Sequence, residues 1–203
     1  MKKQLVIYTL LSTSLIALFT LWLITSKEKD LYEEYLSGEL VNQIVRISVA
    51  PSSNLSILED VLTAGTITRT QAEQLQMNFS YLTFEIQDVI HMAISIQRTK
   101  DTSNNVTSIN SDYVLFFIQL DFQEDEIQLS EEQLASLKIM NNLMGKYTKV
   151  VGEKLKFVSI DDTKGRSGHF FDYYREKGLE DDYWLELLNG FEKVTEETDS
   201  LDY

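Results

Sequence analysis

The chain has 203 residues, 43% of them hydrophobic, with 18 Lys+Arg against 32 Asp+Glu and a formal net charge of −14. That length suits one domain with a real core, and the composition excludes disorder over most of the chain. The acidity argues against a nucleic-acid binder, whose affinity comes from counterions released to Lys and Arg, and the absence of cysteine excludes disulfides, thiolate metal ligands and a cysteine nucleophile.

Residues 5–24 carry no charged side chain. About twenty residues at about 1.5 Å each span about 30 Å, the thickness of a bilayer's hydrocarbon core. Leu5 opens this run and Ile24 closes it, and Tyr8 and Trp22 stand near its ends, where amphipathic rings favour the interface. Ser12, Thr13 and Ser14 can bond back to helix carbonyls, and Thr13 with Ala17 makes one small-xxx-small pair. A cleaved leader has a shorter apolar core, about 7–15 residues, ending at small residues. Here Ile24 occupies the place where a small residue is needed. The expectation is an uncleaved, single-pass signal anchor, with residues 1–4 as a short cytoplasmic tail and 5–25 as the transmembrane helix. Lys2 and Lys3 flank one end, Lys27 and Lys29 the other, so the basic residues nearly tie. A short basic tail before a first span generally stays in the cytoplasm, which places residues 27–203 outside the cell membrane. Without Lys2 and Lys3, the 18 basic residues become 16 against 32 acidic ones, a surface that repels anionic headgroups.

Beyond the anchor, residues 27–195 read as an antiparallel helical bundle, so the fold class is all-α with an N-terminal transmembrane helix. Residues 28–49 form a helix on Leu36, Leu40, Ile44 and Ile47, ended by Ala50 and Pro51. A short helix over 54–64 follows, closed by Gly65. The clearest element runs over 68–100. Thr68 and Gln71 fit a capping box. Leu75, Phe79, Leu82, Ile86, Val89, Ala93 and Ile96 then follow in steps of four and three, a coiled-coil-like seam. Phe84, Met92 and Ile94 widen that stripe, as in a helix packed on two neighbours. Residues 101–112 read as a polar loop. The apolar run 113–118 reads as helix, because no second convincing strand exists to pair with it, although periodicity does not settle its conformation. Ser130 and Gln133 cap a helix over 131–157, striped by Leu137, Met140, Met144, Tyr147, Val151, Leu155 and Val158. Its charges lean basic, at Lys138, Lys146, Lys149, Lys154 and Lys156. The acidic helix from Leu179, with Leu185, Leu188, Phe191 and Val194 on one side, is expected beside it. Residues 196–203 read as a frayed acidic tail.

No catalytic, cofactor or metal motif emerges. His91 has no acidic or histidine partner one helical turn later, and His169 has no recognisable nucleophile or orienting carboxylate. The acids at 121–126, 161–162 and 180–182 lack the spacing and glycine of a calcium loop and read as solvated faces. The glycines and basic groups of 163–169 lack phosphate-loop spacing and read as a turn. The sequons at Asn54, Asn78 and Asn105 matter only in a eukaryotic secretory setting. One cluster invites a partner: Phe170, Phe171, Tyr173, Tyr174, Tyr183 and Trp184, aromatics of the kind enriched at interfaces, though equally suited to closing one end of a bundle. The functional expectation is a membrane-anchored, non-enzymatic interaction or scaffold module that meets another membrane or envelope protein. Homo-oligomers remain open. The alternative is a ligand-binding sensor bundle that signals through a membrane partner.

Overall fold

In the computed structural model, residues 2–100, 105–158, 166–198 and 201 are described. Among these residues there are six helices: α1 (Lys2–Ala64), α2 (Arg69–Ser95), α3 (Asn105–Ile118), α4 (Glu131–Lys154), α5 (Gly168–Lys177) and α6 (Tyr183–Glu196). Two short strands, β1 (Thr66–Thr68) and β2 (Glu126–Gln128), form an antiparallel ribbon in which Ile67 faces Ile127. The all-α expectation holds. The run 113–118 is helical as expected, and the ribbon, formed elsewhere in the chain, is an addition to that reading. The ribbon escaped notice because three-residue strands are too short to show an alternating pattern.

The largest correction concerns Pro51. The expected break between two helices is instead the interior of one helix of 63 residues. Proline removes the donor to the Ile47 carbonyl and crowds it, at a cost of about 3 kcal/mol. On either side of it Leu40, Val41, Ile44, Ile47, Leu58 and Val61 are fully buried. Each such side chain stabilises by about 1.5–3 kcal/mol, so packing on both flanks outweighs the defect. Arg166 ties the adjoining turn of α1 to the segment before α5. Its guanidinium donates to the Ser48 carbonyl at 2.7 Å and to Ser48 Oγ at 3.1 Å. Arg166→Ala is therefore expected to cost about 1–3 kcal/mol, the range for a lost charge-assisted bond to a half-buried carbonyl. Urea denaturation of the two proteins measures it, and an unchanged midpoint contradicts the role.

The two capping boxes form as expected. Thr68 Oγ1 accepts from the Gln71 amide and Ser130 Oγ from the Gln133 amide, and each glutamine bonds back to the cap amide. Of the α2 seam, Leu75 to Ala93 is buried and Ile96 packs partly buried at the edge. Phe84 and Ile94 do not widen that stripe. They are 64% and 38% exposed, and only Met92 packs inward. The expected loop at 101–112 is helical from Asn105 onward, and 101–104 lie outside the described residues. Val106, Ile109, Tyr113, Phe116 and Phe117 share its buried face. The polar residues that read as loop are absorbed by the helix, as where Asn110 Nδ2 donates to the Val106 carbonyl at 2.7 Å.

The elements close into a ring. α1 lies against α2 and α4, α2 against α3, and α6 against both α3 and α4. Arg46 meets Glu85 and Ser53 meets Asn78, so α1 and α2 are antiparallel. Lys154 meets Glu186 at 3.3 Å and Tyr147 meets Thr195 at 2.6 Å, so α4 and α6 are antiparallel and neighbours, as their opposite charges imply. The ion pair fixes register more than it stabilises, since exposed pairs contribute about 0–1 kcal/mol. Gly190 sets the closeness of that pair: a Cβ there would stand 2.6 Å from Val150 Cγ1. The α6 core face is also turned from expectation. Trp184, Leu187 and Phe191 are fully buried, while Leu185, Leu188 and Val194 lie at its margin. In the tail, Leu201 is buried, and residues 199–200 and 202–203 lie outside the described residues.

Tyr147 sits in the middle of the ring, stacked on Phe191 at 4.3 Å. Burial pushes its phenol far above the usual tyrosine range, and burial does the same to Tyr183. Unfolded tyrosines ionise near pH 10 while these two stay neutral in the fold. Their contribution is complete below about pH 10 and declines as pH rises above it. Melting followed by circular dichroism is expected to show alkaline destabilisation beginning there. Tyr147→Phe is expected to flatten that slope.

Candidate interaction surface

The aromatic cluster read from the sequence divides on folding. Phe170, Tyr174, Tyr183 and Trp184 are buried in the core. Phe170 lies 4.6 Å from Tyr174, and Tyr174 4.4 Å from Tyr183, ring centre to ring centre. The Tyr174 hydroxyl accepts from the Lys156 amide at 2.6 Å and holds the end of α4 against α5. Burial raises the Tyr174 pKa. Phe171 and Tyr173 stay half-buried, with Lys156 and Lys177 over the Tyr173 ring at 5.4 and 5.7 Å. These aromatics close the end of the bundle around α5, and only Phe171 and Tyr173 keep surface for a partner.

His91 is exposed on α2, and His169 is exposed with its ring 6.4 Å from Phe157. Among the described residues, no three His, Asp or Glu side chains converge as metal ligands. Of the turn at 163–169, residues 163–165 lie outside the described residues. A crevice of about 50 Å³ between α2, α3 and α6 is floored by Ile86, Ala93, Val106 and Leu188. Sites for drug-sized molecules run to about 300–1,000 Å³.

The surface that stands out lies elsewhere, along α1 and α2. Residues 10–24 of α1 present exposed apolar side chains, among them Leu11 at 61%, Leu15 at 72% and Trp22 at 61%. None of this stretch is buried by the fold, and it is long and apolar enough to cross a membrane. Past it, Leu31, Tyr32 and Tyr35 remain 58–69% exposed before α1 enters the bundle at Ser37. Tyr32, Tyr35, Glu39, Asn42 and Arg46 follow in steps of three and four, which puts them on one side of the helix. That side meets α2 where Arg46 pairs with Glu85 and stands 3.6 Å from Glu39. The hydrogen bond to Glu85 raises the Arg46 pKa further. Beside this pair, the outer face of α2 shows Met77, Tyr81 and Phe84 at 47%, 42% and 64% exposure.

Sequence reasoning missed this surface although its signal was present. Met77, Tyr81 and Phe84 repeat by four and three, opposite the seam of Phe79, Leu82 and Ile86. A helix with apolar residues on two sides gives no local sign of which side the fold buries. No family model, curated protein or solved structure matches the chain.

Proposed function

We propose that this chain is a membrane-anchored, non-enzymatic interaction module. In this reading residues 5–24 span the cell membrane once, residues 27–203 stand on its outer side, and the α1/α2 face binds a protein in the same membrane. One observation carries it: the exposed apolar segment and the buried core helix are a single uninterrupted helix. Apolar surface left uncovered by the fold favours lipid, and a continuous helix fixes the bundle's face relative to the membrane plane. Two measurements test it. Alkaline washing is expected to leave the full-length protein in the membrane pellet, and protease added to intact cells is expected to remove the bundle. Release by the wash contradicts the anchor, and protection from protease contradicts the side.

The same helix favours a second reading, a sensor whose bundle binds a ligand and signals through a membrane partner. A helix continuous from the membrane segment into the bundle carries a change in the bundle to that segment. The supporting result is a melting temperature that rises with concentration of one compound in a screen of small solutes.

A further inference from the structure

We infer that the occupant of the α1/α2 face is a second copy of this chain, parallel to the first about a two-fold axis along α1. The inference rests on the anchoring proposed above and adds the partner's identity. Three observations converge on it.

The first is direction. Ala17 and Tyr35 are 18 residues apart in one unbroken helix, about five turns at 3.6 residues per turn, so they point to the same side of the rod. Two copies held in one membrane with the same orientation present this side at the same heights. A two-fold axis along the membrane normal then sets each residue against its own counterpart. Tyr32 and Tyr35 are not explained as headgroup anchors. They lie eight and eleven residues beyond Ile24, about 12 and 16 Å along the helix, past a headgroup layer about 6 Å deep.

The second is area. Leu31, Tyr32, Tyr35, Met77, Tyr81 and Phe84 are all 42–69% exposed. With about 150–250 Å² per aromatic side chain, the six offer on the order of 600 Å². A standard interface takes about 800 Å² per partner, and the facing membrane helices supply the difference.

The third is charge. With a net charge of −14, two copies repel across most of their surfaces. Along this strip Arg46 lies between Glu39 and Glu85 and offsets the charge of one of them. Association through this face brings together aromatic surface of reduced negative charge and leaves the more acidic faces outward.

Because the chain has no cysteine, single cysteines report contacts without background. The full-length Tyr35→Cys protein, oxidised in native membranes, is expected to form a disulfide-linked species of twice the 23.5 kDa chain mass. Lys149→Cys, on the exposed face of α4, is expected to form several-fold less. In detergent, light scattering is expected to give a two-chain mass for the wild type and a one-chain mass for Phe84→Arg. Phe84 is 64% exposed, so this variant keeps its core, and an unchanged helical circular dichroism confirms that. Membrane-bound protein that is monomeric, or a Tyr35→Cys adduct with a different chain, overturns the second-copy inference and leaves the anchor standing. Intact protein in the supernatant overturns both.

Discussion

Leu15→Arg combined with Leu18→Arg is expected to move the full-length protein from the membrane pellet to the supernatant. Each arginine near the middle of a span opposes insertion by about 2.5–3.5 kcal/mol, so the pair removes on the order of 5–7 kcal/mol of the preference for lipid. Neither side chain touches the bundle: Leu15 is 72% exposed and Leu18 64%. The released protein is therefore expected to keep its helical circular dichroism and its melting temperature. Loss of folding along with release would mean that the N-terminal segment belongs to the core. A shortened wild-type protein in the supernatant would mean that the segment is a leader that is cut away.

Trp184→Ala is expected to be the most damaging single substitution in the bundle, at about 3–5 kcal/mol. Trp184 is fully buried near the start of α6, and truncation leaves a cavity that the surrounding helices fill only in part. Trp184→Phe is expected to cost much less. Its indole N–H has no hydrogen-bond partner among the described residues, and a buried donor left unpaired costs about 1–3 kcal/mol. Phenylalanine removes that donor while keeping an aromatic ring in place. Denaturant titration followed by circular dichroism separates the two variants. Equal losses would mean that the N–H is bonded in solution.

What the sequence disclosed follows from how local each signal is. Both capping boxes lie within four consecutive residues, and both were read correctly. The α2 seam and the α4 stripe are periodic over several turns, and their burial followed the pattern. Pro51 misled because the packing that outweighs its defect comes from side chains far away in the chain, which no local reading connects to it. The stretch from Asn105 misled for a related reason. Its polar residues suit a loop in isolation, and only contact with α2 makes helix the better state. The candidate site was the least legible part. Phe84 and Trp184 are both large aromatics in helical patterns, yet one ends on the surface and the other in the core. That difference is decided by which neighbours arrive, and the sequence pattern alone does not order the neighbours around the ring.

The unbroken α1 also fixes how far the molecule reaches. From Ile24 to Ala64 is 40 residues of helix, about 60 Å at 1.5 Å each. Under the proposed anchoring with α1 upright, the ribbon of β1 and β2 is held at that height, while the turn at Gly178, beside Ser37, stays about 20 Å above the lipid. A shallow neighbour in the same membrane then meets only the lower end of the bundle. Whatever engages the acidic tip around Glu124 and Glu126 must stand equally tall or approach from a facing layer.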